Sequence, residues 1–168
     1  MSKTIHMTLD PASIQAAIRE IEAYKKWVLQ KTQQLAQRLA EYGLRRVQAG
    51  YAAALYDVDK TQRDVVLSVE QRGEGQYAIC AYGFDVLLLE FGSGIKYGGG
   101  HPLDSELGMG PGTFPGQTHV PDPGYWWYKG EDGKSHYSEG NAPSMVMYLT
   151  GLELQWEVER IAKEVFST

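Results

Sequence analysis

A narrow apolar stripe near the start of the chain constrains the fold more than any other feature of the sequence. Asp10 and Pro11 predict the start of a helix, because an aspartate caps a helix and a proline fits its first turn. Apolar residues then recur along one side of the expected helix, at Ile14, Ile18, Ile21, Val28, Leu35, Leu39 and Tyr42. The stripe predicts a helix of about 32 residues, or about 48 Å.

Such a helix is too long for one small core to cover. The chain has 168 residues, which suffices for one domain with a core and is too short for two. We therefore expect part of the stripe to pack on another subunit. Gly43 is expected to end or kink the helix, and residues 44–57 are expected to continue helically in a new direction.

A β-hairpin is predicted in the middle of the chain. Residues 64–71 and 76–83 each alternate large apolar side chains with smaller or polar ones, and Arg-Gly-Glu-Gly lies between them. The apolar run at residues 84–91 has no decisive period, so it is either a buried strand or a short buried helix.

The second half of the sequence predicts a long loop, another hairpin and a final helix. Residues 92–124 hold ten glycines and five prolines, which is typical of an irregular segment that is functional or disordered. Residues 125–138 flank a Gly-Glu-Asp-Gly turn with an aromatic strand and a polar strand. Asn141 is expected to cap the C-terminal helix, with Pro143 in its first turn.

Together these elements predict one domain, residues 1–168, of the α+β class. It has a long N-terminal helix, a small antiparallel sheet built from two hairpins, and a C-terminal helix on one sheet face. The expected segments are a helical arm at 1–50, the first hairpin with a Glu-Phe-Gly motif at 64–91, a Gly-rich loop at 92–124, and the second hairpin with the C-terminal helix at 125–168.

Composition excludes several classes of protein. The longest strongly apolar stretch, Val86 to Leu89, is far below the roughly 18 residues of a membrane span, so no membrane contact is expected. Cys80 is the one cysteine, which excludes an internal disulfide and suits a reducing cytoplasm. The N-terminus lacks the apolar region of an export signal.

The charge is divided unequally along the chain. Residues 1–50 carry eight Lys/Arg against four Asp/Glu, a balance of +4, and residues 51–168 carry eight against seventeen, a balance of −9. The basic residues are spread around the predicted helix among glutamines, which indicates a solvated face and not a DNA-binding patch. The opposed halves suit head-to-tail contact between copies of the chain.

Two sets of residues leave other functions open. Polar residues that could ligate a metal in a hydrolase occur at His101, Asp104, Glu106, His119, Asp122 and His136. Their spacing matches no metal motif, so surface histidines in a polar loop are favoured over a metal site. Trp126 and Trp127 could stack on sugar rings in a carbohydrate-binding module. No cofactor motif is found.

Glu90 stands near the end of an apolar run, and two glycines follow shortly after it, at positions 92 and 94. A carboxylate beside three leucines is costly to bury unless hydrogen bonds are donated to it. We expect it to act as a structural clasp that accepts N–H groups from Gly92–Gly94 or pairs with Arg45 or Arg46. A subunit contact and catalysis are the alternatives for this carboxylate.

Several short motifs follow one another in a definite order. They are Glu90-Phe91-Gly92-Ser93-Gly94, His101-Pro102, Gly124-Tyr125-Trp126-Trp127-Tyr128, the helix start at 141–145 and Ile161-Ala162-Lys163-Glu164. Their order and spacing resemble the bacteriophage tail-component family known as gene-product-ten-like. Ser93 stands where that family usually has threonine, and the Ala-Pro order at 142–143 is the reverse of the family's.

The resemblance implies a head–tail joining or tail-completion protein of a tailed phage, without enzymatic activity. It implies a ring of copies, and contacts with a head-closure or connector protein and with a tail-terminator or tail-tube protein. Genome DNA would pass the lumen without sequence-specific binding, and the protein would be made in the host cytoplasm and reside in the virion. Candidate structural or interface residues are Glu90, Phe91, Gly92, Ser93, Gly94, Arg45, Arg46, Trp126, Trp127 and Pro143.

Overall fold

A computed structural model of the protein describes residues 4–54, 64–83, 85–94, 100–108, 125–130 and 132–167. The elements in these residues are α1 (Pro11–Ala53), β1 (Val66–Gly73), β2 (Gln76–Tyr82), α2 (Asp85–Phe91), β3 (Trp126–Lys129), β4 (Ser135–Ser138) and α3 (Val146–Ser167). The predicted α+β class, with its long N-terminal helix, two hairpins and C-terminal helix, is confirmed.

Helix α1 begins as predicted but is longer than predicted. The Asp10 carboxylate accepts the Ser13 N–H at 2.9 Å, and Pro11 occupies the first turn. The helix then runs for 43 residues without ending at Gly43. A side chain at Gly43 would collide with Ile79 of β2 and touch Leu154 of α3. The absence of a side chain at Gly43 allows β2 and α3 to pack closely against α1. This packing offsets the cost of a glycine within a helix, which is about 1 kcal/mol relative to alanine.

Helix α3 runs antiparallel along the C-terminal part of α1. Gly50 of α1 lies against Val146 at the start of α3. Near the other end of α3, the Phe166 ring meets the Trp27 ring edge-on, with centroids 5.7 Å apart. Because α3 ends at Ser167, residues 11–26 of α1 extend past it.

The two hairpins form separate two-stranded antiparallel sheets. In the first, Val69 pairs with Ile79, and the hairpin packs against α1. In the second, Trp127 pairs with Tyr137. Both hairpins are confirmed, but their strands do not join into the single sheet that was expected. The first hairpin's strands also begin and end within two residues of the predicted bounds.

The core lies where α1, α2, α3 and the first hairpin meet. Its buried members are Val47, Tyr51, Ala54, Leu89 and Val146. The ambiguous run at 84–91 is helical in residues 85–91, and this places Leu89 fully out of solvent beside α1. Partly buried residues of the hairpin and of the helices, including Leu67, Ile79 and Met147, pack against this cluster.

Only parts of the predicted loop at 92–124 belong to the described residues, namely 92–94 and 100–108. Residues 101–108 form successive turns, in which the His101 carbonyl accepts the Asp104 N–H at 3.1 Å. Among the described helices, none combines the length and the apolar content that crossing a membrane requires.

Candidate functional site

The end of α2 and the start of α3 meet in a junction that we call the α2–α3 junction, formed by residues 88–94 and 140–148. The last carbonyls of a helix have no partner within it and must find one elsewhere. Three of them at the end of α2 accept from the segment before α3: Leu88 from the Asn141 side-chain amide at 2.8 Å, Leu89 from Ser144 N–H at 2.8 Å and Glu90 from Met145 N–H at 3.2 Å. The segment before α3 therefore caps α2.

The Glu90 side chain makes the reciprocal cap. Its Oε2 accepts the Met147 N–H and its Oε1 accepts the Tyr148 N–H, each at 2.9 Å. These are two of the N–H groups that the first turn of α3 leaves without a helical partner. The negative charge also faces the positive end of the α3 dipole. Glu90 is 5% exposed, so these bonds form almost entirely out of water.

The donors to Glu90 are not the ones expected from the sequence. The Ser93 N–H, which was among the expected donors, instead donates to the Asn141 carbonyl at 2.9 Å. Arg46, an expected ion-pair partner, is bonded to Glu153 at 2.8 Å. The carboxylate accepts backbone N–H groups as a clasp would, but it joins two helices and does not brace its own turn.

Ser93 and Asn141 hold the two strands of the junction together. Their backbones form an antiparallel bridge, and the Ser93 hydroxyl donates to the Asn141 side-chain oxygen at 2.6 Å. Asn141 therefore does not cap α3, and Pro143 does not lie in its first turn, because α3 begins at Val146. The prediction failed because asparagine and proline suit an extended crossing as well as a helix start.

Glycine is required on both sides of this bridge. Gly92 has φ of 75° and Gly140 has φ of 92°. Residues with a side chain rarely adopt this backbone region of positive φ. A Cβ on Gly92 would lie 2.6 Å from the Asn141 carbonyl oxygen, and a Cβ on Gly140 would overlap the Ser93 carbonyl. Gly94, with φ of 82°, is buried at the end of the bridge.

His101 lies beside Glu90 and is 4% exposed, so the expectation of a surface histidine was wrong. Its Nδ1 accepts the Leu103 N–H at 3.1 Å, which places the ring proton on Nε2. That nitrogen is 3.4 Å from Glu90 Oε1. The ring also packs on Phe91 and Tyr148, with centroids 4.3 and 5.3 Å away. His101 therefore supports the clasp as a third donor in an aromatic setting.

A cavity of about 390 Å³ adjoins the clasp, and its lining includes Tyr51, Val86, Phe91, His101, Leu103 and Tyr148. A general base must have an oxygen within hydrogen-bond reach of a substrate proton. Both Glu90 oxygens already accept N–H groups that belong to the fold. Burial, with a smaller contribution from the Glu90 charge, raises the pKa of the Tyr51 hydroxyl. Both oxygens of the Glu90 carboxylate thus take part in hydrogen bonds that hold the fold.

The basic pair on α1 was expected to contact Glu90 or a neighbouring subunit. Arg46 Nε instead binds Glu153 Oε2 at 2.8 Å, and the Tyr42 hydroxyl donates to Glu153 Oε1 at 2.6 Å. These bonds tie α1 to α3 within one chain. Arg45 is exposed on the same helix.

This contact predicts a pH dependence of stability. The hydrogen bond from Tyr42, and then that from Arg46, lowers the pKa of Glu153. A carboxylate whose pKa is lowered in the folded state stabilises the fold at pH values above the ordinary pKa of glutamate. This stabilisation is lost as the pH falls through the lowered pKa. We expect Glu153→Gln to melt a few degrees below the wild type at neutral pH, and the difference to close on acidification.

Melting curves of both proteins over a pH series test this expectation. Glu159→Gln, an exposed change on the same helix, is the matched control and should follow the wild type throughout. A difference between Glu153→Gln and the wild type that stays constant down to acidic pH would contradict the assignment.

The second hairpin exposes aromatic side chains. Trp127 is 61% exposed, and its ring contacts the Tyr137 ring, which in turn contacts the Tyr125 ring. Trp127 and Tyr137 meet at 67°, so they do not form the flat platform on which a sugar would stack. The Trp126 side chain, the other member of the proposed sugar-binding pair, lies outside the described part of the structure.

The proposed metal site also lacks a described ligand set. No group of three or more His, Cys, Asp or Glu side chains converges among the described residues. His136 contacts Asp132 at 3.0 Å on the exposed second hairpin. His119 and Asp122 lie outside the described residues.

Comparison with known proteins adds no relative: no family model, no curated protein and no solved structure matches this chain.

Proposed function

We propose that this protein is a structural subunit of the phage head–tail junction, which oligomerises as a ring that joins the capsid connector to the tail. The observation that carries the proposal is the α2–α3 junction. The two motifs of the family resemblance that contribute to it, at 90–94 and 141–145, are distant in sequence and bond to one another in space. Two motifs that together form the α2–α3 junction have a structural reason to recur in the same arrangement along the chain.

The occupancy of the polar groups supports a structural role. Glu90, Ser93 and Asn141 are all buried, and each makes hydrogen bonds within the chain. Catalytic groups need a free position for a substrate, whereas these groups fix the relative placement of two helices.

The exposed start of α1 supports assembly with further subunits. Residues 11–26 reach past the end of α3 and carry exposed isoleucines. A contiguous exposed apolar face of this kind typically marks a surface that contacts another protein.

In the proposed assembly, copies of the chain contact one another around the ring. A head-closure or connector protein lies on one side, and a tail-terminator or tail-tube protein lies on the other. The net charge of −5 would weaken binding of genome DNA to the lumen, so that DNA passes without sequence-specific contacts. The protein would be made in the bacterial cytoplasm and would end up in the virion.

Deletion of the coding gene from the phage or prophage that carries it tests the proposal. We expect DNA-filled heads and separate tails by electron microscopy, and the intact protein in particles restored by complementation. Glu159→Ala, an exposed change, serves as the complementing control. Complete infectious particles without the protein would refute the proposed role.

A further inference from the structure

The N-terminal arm, which we define as residues 11–26 of α1, carries an apolar face. Ile14, Ile18 and Ile21 are spaced by four and three residues, so they lie on one side of the helix. All three are exposed, Ile21 at 55%. A row of branched aliphatic side chains on a projecting helix is typical of a helix that docks in an apolar groove of a partner.

A groove of matching character lies at the other end of the same helix. We call it the α1–α3 groove; it has a volume of about 860 Å³. Its apolar lining consists mostly of small residues: Ala49, Gly50, Ala53, Ala54, Ala142, Val146 and Leu149. The polar residues of the lining are Arg46, Asn141, Ser144, Thr150 and Glu153. A floor of alanine and glycine lets a neighbouring helix come close and leaves space for bulky side chains.

The arm cannot fill the groove of its own chain. Ile18 and Ala49 belong to one uninterrupted helix, and 31 residues of helix separate them by about 46 Å. Only an arm from another molecule can enter the groove. We propose that the N-terminal arm of one copy docks in the α1–α3 groove of the next copy, with Ile14, Ile18 and Ile21 facing the alanines.

Charge supports a second copy as the occupant. The arm, residues 11–26, carries three Lys/Arg against two Asp/Glu, a balance of +1, and α3 carries two Lys/Arg against four Asp/Glu, a balance of −2. The arm of one molecule and α3 of the next therefore carry net charges of opposite sign, which favours their contact. On α3, Leu149 and Trp156 are seven residues apart and project to the same side; Trp156 is 79% exposed and extends the apolar rim.

The two surfaces differ, so the contact is head-to-tail, and repetition closes into a ring or continues as a filament. Half the surface of a helix about 24 Å long and 10 Å wide is roughly 380 Å². Both sides of one contact then bury about 750 Å², below the 1,200 Å² of a typical stable complex. A single contact is therefore weak, and the free protein dissociates on dilution. That the contact builds a ring rests on the proposed function; the docking itself does not.

Disulfide trapping of purified full-length protein tests the docking. In a Cys80→Ser background, Ile18→Cys with Ala53→Cys should give a ladder of dimers, trimers and longer species on non-reducing gels at rising protein concentration. Ile21→Cys with Ala49→Cys covers a shift in register. The matched control is Ala23→Cys with Ala53→Cys, because Ala23 lies on the opposite side of the arm, and it should give no ladder.

Absence of a ladder from both pairs, or an equal ladder from the Ala23 control, would overturn the docking. A dimer from Ile18→Cys alone would overturn it in favour of an arm-to-arm contact. The result is separable from the phage experiment: a ladder together with intact particles after gene deletion keeps the docking and removes the virion role. Separate heads and tails after gene deletion, without a ladder from either cysteine pair, would keep the virion role and remove the docking.

Discussion

Replacement of Glu90 by alanine is expected to lower the free energy of unfolding by about 3–5 kcal/mol. The change removes both acceptors from the N–H groups of Met147 and Tyr148, which lie in the partly buried first turn of α3. It also removes the partner of the His101 Nε2–H and leaves a void beside the cavity. Because one substitution removes the partner of three donors, the loss is larger than that of an ordinary hydrogen bond.

Glu90→Gln should also destabilise the protein, by about 1–3 kcal/mol, although it preserves the shape. Met147, Tyr148 and His101 all direct donors at this side chain. A glutamine has one oxygen and one NH2 group, so a donor must face a donor. It also lacks the negative charge that interacts with the α3 dipole.

Urea unfolding followed by far-UV circular dichroism measures both effects. Glu159→Ala is the matched control, since its side chain is 79% exposed, and it should change stability by less than about 0.5 kcal/mol. If Glu90→Gln and Glu90→Ala unfold at the same urea concentration as this control, the carboxylate does not cap α3.

Local periodicity was sufficient to predict α1 and the first hairpin, but it did not predict α2. The stripe that includes Leu35 and Tyr42 predicted α1, and alternation predicted the first hairpin, because both depend on neighbours in the sequence. Gly43 misled the prediction of the helix end. Its low helix propensity is a local property, while its role is to let Ile79 and Leu154 approach, which depends on packing.

Only part of the candidate site could be predicted from the sequence. The cost of burying Glu90 beside leucines signalled hydrogen-bond donors, but the donors lie 57 and 58 residues further along the chain. No local pattern indicates that α3 begins there, because the Asn141-Ala142-Pro143 segment reads equally as a cap. His101 was assigned to the surface from its polar surroundings, and its contact with Glu90 has no sequence signature.

Gly140→Ala should be among the most destabilising single changes in this protein, with a loss of about 3 kcal/mol or more. The new methyl group would meet the Ser93 carbonyl and the Cα of Gly94, which are backbone atoms that cannot rotate away. The Ser93–Asn141 bridge would have to open, and with it the hydrogen bond from the Asn141 side-chain amide to the Leu88 carbonyl of α2.

Comparison of Gly92→Ala with Gly133→Ala distinguishes the effect of a steric clash from the effect of backbone strain. The two glycines have nearly equal φ, 75° and 73°, so both changes incur the same cost for a side chain in this region, about 1–2 kcal/mol. At Gly133 a Cβ meets nothing within 4 Å, whereas at Gly92 it would lie 2.6 Å from the Asn141 carbonyl oxygen. We therefore expect Gly92→Ala to unfold at clearly lower urea concentration than Gly133→Ala. Equal unfolding curves would mean that the two strands of the junction do not approach each other this closely.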